Sequence, residues 1–208
     1  MNLALIRWML WGLVAGVSVL LAVALTGVVD LRSGTRAAGT MTASPAPIGG
    51  EFTLVDEDGT TRTWSSFRDK PVTVFFGFTN CPDICPTTLA ELTLLLQGMG
   101  PRGDDLSVLL VSGDPKRDTP AVLKEYLASF DPRITALTGP EAEIDAAFSA
   151  FKAYRKIVPL EGEDYTVDHS AGVYLYDRDG DFAGTLDMHE PQEVRVAKLE
   201  RLLSEQGG

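Results

Sequence analysis

The sequence contains only two cysteines and two histidines, and its 18 Lys and Arg residues are outnumbered by 29 Asp and Glu residues. Two thiols can form one disulfide or contribute to one metal site, so a fold held together by several disulfides is excluded. The formal net charge of −11 at pH 7 leaves no basic stripe to neutralise phosphates, which excludes nucleic acid as a partner. The two histidines likewise leave few imidazoles for a metal centre.

One segment near the amino terminus is long and apolar. Residues 8–29 carry no charged side chain, and about 20 apolar residues are enough to cross a bilayer as a helix. The segment predicts one transmembrane anchor, preceded by a short flank of residues 1–7. A cleaved signal peptide is the alternative, although its apolar region is usually about 7–15 residues long. Residues 30–48 are small and polar, which is typical of a flexible tether.

Residues 49–206 predict one α/β domain. Val72–Phe78 is continuously apolar, as expected for a strand buried on both faces, and a helix is predicted to follow it. Strands then alternate with helices, and the chain ends in a hairpin and a helix. This order indicates a thioredoxin-like fold, with a central mixed sheet flanked by helices and an extra N-terminal β-hairpin. The predicted elements are strands Phe52–Val55, Thr61–Trp64, Val72–Phe78, Leu106–Val111, Ile134–Leu137, Val173–Tyr176 and Phe182–Leu186, and helices Pro86–Leu96, Pro120–Phe130, Pro140–Phe151 and Glu190–Ser204.

The two cysteines, Cys81 and Cys85, lie in the turn between the first buried strand and the helix that follows. Ligands bind at such turns in open α/β sheets. Residues i and i+4 share one face of a helix, so the two sulfurs can converge on one ion. The positive end of the helix dipole favours thiolate, which is both a metal ligand and a redox nucleophile. The motif alone therefore leaves open a metal site, a redox pair and a small structural disulfide.

His169 is the candidate third ligand, because it lies just before the predicted strand Val173–Tyr176 and the fold could bring it to the cysteine loop. The alternative is an ordinary hydrogen-bonded histidine. Two thiolates and one imidazole suit copper, and zinc also accepts this set with an open fourth position. His189, beside Met188 at a strand-to-helix turn, is interpreted as an exposed residue at the start of a helix.

Three separated motifs carry a family resemblance: Phe78–Pro86 (FTNCPDICP), Ser112–Pro120 (SGDPKRDTP) and Tyr165–His169 (YTVDH). They resemble the SCO/SenC copper proteins, which serve cytochrome c oxidase assembly. The pattern C-P-x-x-C-P with a downstream D-H is specific to that family. The resemblance covers about Ile48 to Leu203, and the family's usual anchor and tether are also present.

The resemblance implies a thioredoxin-like domain that binds one copper ion, as Cu(I) or Cu(II), through Cys81, Cys85 and His169. It implies delivery of copper to the CuA centre of cytochrome c oxidase subunit II, or reduction of that centre's cysteines, and an upstream copper donor protein. It also implies a single-pass protein of the bacterial inner membrane with its domain in the periplasm. The alternative is the mitochondrial inner membrane, facing the intermembrane space.

Three aspartates near these motifs have predicted roles. Asp118 is interpreted as the cap of the helix that begins at Pro120. Asp114 is predicted to support a metal ligand or to contact a partner protein. Asp168 could fix the ring of His169 or simply end a strand, and the sequence favours neither.

Three functions remain open from the sequence. The first is a copper metallochaperone that passes the ion on by ligand exchange. The second is a thiol–disulfide oxidoreductase in which Cys81 and Cys85 are the redox-active residues. The third is a copper or redox sensor whose bound state alters docking to another membrane protein. The first two are compatible, since cysteines that hold copper must be reduced.

Overall fold

A computed structural model of the chain describes residues 7–8, 11–18, 21, 47–162 and 164–204. Its contacts divide the chain into two units, Met1–Pro45 and Ala46–Gly208. In the first unit, residues 11–18 are helical, while most of the predicted anchor and tether lies outside the described residues. Among the residues described, no helix is both long enough and apolar enough to cross a membrane.

The second unit is built on a seven-stranded mixed sheet with strand order β2-β1-β5-β4-β3-β8-β9, and β6 and β7 form a separate two-stranded sheet. β3, β4 and β5 run parallel, and the other pairs are antiparallel. The strands are β1 (Thr53–Asp56), β2 (Thr61–Thr63), β3 (Val72–Gly77), β4 (Ser107–Ser112), β5 (Ile134–Thr138), β6 (Arg155–Pro159), β7 (Tyr165–His169), β8 (Val173–Tyr176) and β9 (Phe182–Leu186). The helices are α1 (Ile84–Met99), α2 (Pro120–Leu127), α3 (Glu141–Ala150) and α4 (Gln192–Ser204).

Strand β3 lies at the centre of this architecture, and every one of its residues is buried. Successive side chains of a strand point to opposite faces, so β3 contributes to two cores. Phe75 packs with leucines of α1, α2 and α4 on one face. Phe76 packs on the other face, with its ring 4.5 Å from that of Phe148 and 5.7 Å from that of Phe151. The predicted central mixed sheet and the N-terminal hairpin of β1 and β2 are confirmed.

The start of α1 and the cap of α2 differ from the sequence prediction. α1 begins at Ile84, before Pro86, so Cys85 lies in its first turn, where proline is tolerated. The cap of α2 is Thr119, whose Oγ1 accepts a hydrogen bond from the backbone N–H of Val122 at 3.4 Å. The interpretation of Asp118 as this cap was therefore wrong. Its carboxylate points into the protein interior and is fully buried.

The hairpin of β6 and β7 was missed by the sequence prediction. Its strands pair from Arg155 opposite His169 to Pro159 opposite Tyr165. Gly162, in the turn between them, has a φ of 77°, a left-handed conformation that glycine adopts without strain. His169 therefore lies at the end of a strand and not in a loop.

The central position of β3 leads to a stability prediction. Phe76→Ala removes a fully buried ring from between the sheet and α3, and we expect the free energy of unfolding to fall by about 3–5 kcal/mol. Urea denaturation of the two proteins measures the difference. Leu94→Ala is the matched control, because Leu94 is 56% exposed on α1 and its loss should cost no more than about 0.5 kcal/mol. Equal costs for the two variants would contradict the assigned core.

Candidate metal centre

The structure brings Cys81, Cys85 and His169 together. One ligand atom from each residue lies within 4.8 Å of the other two, and the described residues contain no other such group of His, Cys, Asp or Glu. Cys81 lies in the turn after β3, Cys85 in the first turn of α1 and His169 at the end of β7. Cys85 is buried, whereas Cys81 and His169 are half-buried. The group is therefore mostly enclosed and only partly accessible from the surface.

The backbone at the start of α1 holds the two sulfurs on one side of the turn. The N–H of Cys85 donates to Sγ of Cys81 at 3.4 Å, and the N–H of Cys81 donates to the carbonyl of Phe78 at 3.3 Å. The first N–H groups of a helix have no partner inside the helix, so they are free to bind an electron-rich sulfur. Both cysteines are free thiols.

The interior environment of Cys85 disfavours a bare thiolate. Burial raises the pKa of its thiol, and the neighbouring Cys81 and Asp118 raise it further. A bound cation reverses this preference, because a thiol that coordinates a metal is deprotonated and its charge is balanced. Cys85 is thus suited to a soft cation held inside the protein.

The ring of His169 is oriented for metal binding. Its Nδ1 lies 2.9 Å from the carbonyl oxygen of Ser170. A carbonyl only accepts hydrogen bonds, so Nδ1 carries the proton and Nε2 keeps its lone pair. Nε2 lies 3.4 Å from Sγ of Cys85. The rings of Phe78 and Phe75 pack edge-on at 5.6 Å and 6.2 Å and limit the rotation of the imidazole.

The other predicted site residues lie around this group but not in it. Asp168 is exposed on β7, and the strand extends past it to His169. The Ser170 carbonyl, and not Asp168, holds the imidazole. Asp114 is buried, pairs with Arg117 and accepts a hydrogen bond from the hydroxyl of Tyr165 at 2.8 Å. Asp114 therefore contacts the strand that carries His169, four residues from the histidine itself.

His189 lies outside the group, as predicted. Its side chain is 91% exposed, and its Nδ1 lies 2.8 Å from the carboxylate of Asp187. Both residues line a groove of about 630 Å³ between the start of α1 and the turn from β9 to α4. Asp83 and Ala171 also line this groove, close in sequence to Cys85 and His169.

Sequence reasoning missed the role of Gly77 beneath the group. A Cβ at this position would lie 3.0 Å from Sγ of Cys85 and 2.8 Å from Cε1 of Phe75. Glycine is therefore the residue that lets the Cys85 sulfur approach the backbone of β3. The available signal was a glycine inside a run of β-branched and aromatic residues, which often marks a close approach.

Fold and site together define a thioredoxin-like protein with a candidate centre for a soft metal. The structure is similar to that of copper-bound ScoI from Bradyrhizobium japonicum, with a TM-score of 0.72 and 44% sequence identity. The similarity covers 75% of this chain and 99% of ScoI. The SCO1/SenC family model matches residues 40–204. The chain belongs to the SCO1/SenC family, and the predicted thioredoxin-like α/β fold and the family are confirmed.

Two curated relatives show the same relationship. Protein SCO1, mitochondrial, of Saccharomyces cerevisiae is 40% identical over 155 residues, which are 73% of this chain and 52% of that protein. Protein SenC of Rhodobacter capsulatus is 41% identical over 140 residues, 67% of this chain and 62% of that protein. The match thus spans between about half and two thirds of these relatives. A family member binds copper, and this chain holds a Cys-Cys-His group that can bind a metal ion.

The contact between Gly77 and Cys85 can be tested by substitution. Gly77→Ala places a methyl group against a sulfur and a buried ring, and we expect a loss of about 1–3 kcal/mol in the free energy of unfolding. Gly98→Ala is the control, because a Cβ there meets nothing within 4 Å and alanine favours a helix. Urea denaturation compares the two. A Gly77→Ala protein as stable as the parent would contradict the close approach.

Proposed function

We propose that this chain is a copper metallochaperone that holds one copper ion through Cys81, Cys85 and His169 and passes it to the CuA centre of cytochrome c oxidase subunit II. The observation that carries the proposal is the convergence of two sulfurs and one imidazole nitrogen within 4.8 Å. The copper-bound structure of ScoI supports the choice of metal.

The donor set fits copper better than zinc. Two thiolates and an imidazole are soft or borderline ligands, and Cu(I) accepts two or three of them. Structural zinc sites have four protein ligands, and no fourth His, Cys, Asp or Glu joins the group within the described residues. The partly exposed Cys81 and His169 leave room for a ligand of an acceptor protein to approach. This arrangement supports transfer of the ion by ligand exchange.

The placement of the protein is part of the proposal. Residues 8–29 would anchor the chain in the bacterial inner membrane as a single span, with residues 49–206 in the periplasm. There an upstream copper donor protein would load the site, and subunit II of the oxidase would receive the ion. The mitochondrial inner membrane, facing the intermembrane space, is the alternative. A bacterial relative, SenC, and a mitochondrial relative, SCO1 of yeast, support these two alternative locations.

The free cysteines favour a second function, reduction of a disulfide in the acceptor. Cys81 is the more exposed thiol, and its thiolate would attack one sulfur of the acceptor's disulfide. The Cys85 thiolate would then displace the second acceptor cysteine. The acceptor gains two electrons and two protons, and a Cys81–Cys85 disulfide remains on this chain. The 3.4 Å contact between the N–H of Cys85 and Sγ of Cys81 keeps the pair together for this step.

Removal of the imidazole tests the ligand set. Loss of a group that only supports a ligand typically costs about 10–100-fold in metal affinity, so His169→Ala should cost at least about 100-fold for Cu(II). Competition with a chelator of known affinity measures the change. His189→Ala is the control, because His189 lies outside the group and its loss should leave the affinity unchanged. A His169→Ala protein that binds both copper states as the parent does would contradict the three-ligand site.

A transfer experiment separates the two functions. The full-length protein, in detergent, is mixed in its copper-loaded form with a reduced apo CuA domain, and in its copper-free reduced form with an oxidised one, and metal content and thiol state are measured for both proteins. Transfer of copper to an acceptor whose cysteines are reduced before and after the reaction supports the metallochaperone. An acceptor disulfide that is reduced while a Cys81–Cys85 disulfide forms supports the reductase. If neither change occurs, both functions are wrong.

A further inference from the structure

We propose that Asp118 is a positioning residue of the metal centre, whose buried carboxylate holds Thr79 and, through Thr79, the loop that carries Cys81. The inference rests on the proposed function, because it assigns a role in the same site.

The burial of Asp118 requires an explanation. Its side chain is fully buried, and no Lys or Arg in the described part of the chain pairs with it. Burial raises the pKa of this carboxyl group, and the hydrogen bonds from Ser112 and Thr79 offset only part of that rise. A buried carboxylate without a cation is costly, so the fold retains one only where several donors satisfy its oxygens.

Those donors come from the segment that enters the metal loop. Thr79 Oγ1 donates to Asp118 Oδ1 at 2.6 Å, and the Thr79 N–H donates to Oδ2 at 3.2 Å. Ser112, at the end of β4, donates to Oδ2 at 2.6 Å. Thr79 lies two residues before Cys81. The carboxylate therefore ties the backbone that leads into the metal loop to the neighbouring strand of the main sheet.

The same network reaches the strand of the third ligand. The hydroxyl of Ser112 accepts a hydrogen bond from the N–H of Asp114 at 3.0 Å. Asp114 in turn accepts from the hydroxyl of Tyr165 at 2.8 Å, and Tyr165 begins β7, the strand that ends at His169. A continuous series of hydrogen bonds thus joins the cysteine loop to the histidine strand. Asp118 is the central member of this series, because its carboxylate accepts hydrogen bonds from both Thr79 and Ser112.

A purely structural role would produce a different result. If Asp118 only stabilised the fold, its removal would lower the free energy of unfolding and leave the bound metal unchanged. If it positions the ligands, its removal changes the metal site even in protein that stays folded. The spectrum of the Cu(II)-loaded protein distinguishes these cases, because the sulfur-to-copper absorption and the electron paramagnetic resonance parameters depend on ligand geometry.

The test uses the full-length protein with Thr79→Val, Thr79→Ser and Asp118→Asn. Valine has the shape of threonine but no hydroxyl, whereas serine keeps the donor. Because loss of a supporting hydrogen bond typically costs about 10–100-fold in metal affinity, we expect that loss in Thr79→Val and Asp118→Asn, with an altered Cu(II) spectrum. Thr79→Ser should retain the affinity within about threefold of the parent, and the parental spectrum.

Asp131→Asn provides the control for a general effect of removing a buried carboxylate. Asp131 is 5% exposed and pairs with Arg133, away from the cysteine loop. This variant should lose stability and keep the parental copper affinity and spectrum.

Each outcome decides the proposal. Thr79→Val with the parental affinity and spectrum overturns it, whatever its stability. If Asp118→Asn does not fold, the comparison of Thr79→Val with Thr79→Ser gives the answer alone. A change in Asp131→Asn as large as in Thr79→Val also overturns it, because the effect is then not specific. If the parent protein binds no copper, both the proposed function and this inference are wrong. If the parent binds copper and Thr79→Val binds it equally well, only this inference is wrong.

Discussion

The contact between the Cys85 sulfur and the backbone of β3 at Gly77 is the constraint on which the metal centre depends. It buries one thiol against the central strand and so fixes the start of α1 relative to the sheet. The second sulfur, Sγ of Cys81, is held in the turn by the hydrogen bond that it accepts from the N–H of Cys85. Only the imidazole comes from elsewhere in the chain, more than eighty residues away. The candidate site thus consists of two sulfurs that the core positions and one imidazole that a separate hairpin positions.

Sequence patterns predicted the parts of the fold that bury side chains regularly. The run Val72–Phe78 identified the central strand, because a strand covered on both faces is apolar throughout. The β6–β7 hairpin was not predicted because every residue of β6 is exposed or half-exposed, so its sequence shows no clear alternation. The spacing of the cysteines indicated a shared site, but the group that orients His169 is a backbone carbonyl, which no side-chain pattern reveals. Asp118 shows a further limit, because Asp and Thr are both common helix caps and only the structure separates them.

The chemistry of the site links its two proposed uses. The buried Cys85 thiol favours its neutral form, and either a soft cation or a covalent bond to sulfur removes the cost of a buried negative charge. A bound copper ion and a disulfide bond are therefore alternative states of the Cys81 and Cys85 sulfurs that both avoid a buried, unbalanced charge. His169 contributes to the first alone, since an imidazole has no part in an S–S bond. The oxidation state of the cysteine pair would therefore determine whether Nε2 of His169 can share a metal ion with the two sulfurs.

The separation of the β6–β7 hairpin from the main sheet has a consequence for kinetics. Regions of a protein open locally with free energies below that of global unfolding, and units that share few backbone bonds with the core open most readily. β6 and β7 pair with each other and with no strand of the seven-stranded sheet. Side chains attach the hairpin to the domain instead, since Val167 is buried in the core and Arg155 donates to the carbonyl of Gly113 and pairs with Asp145. Local opening of the hairpin therefore has to break these contacts, but no backbone hydrogen bond of the seven-stranded sheet. The position of His169, the third donor of the candidate site, therefore depends on side-chain packing, whereas Cys81 and Cys85 stay with the main sheet and α1.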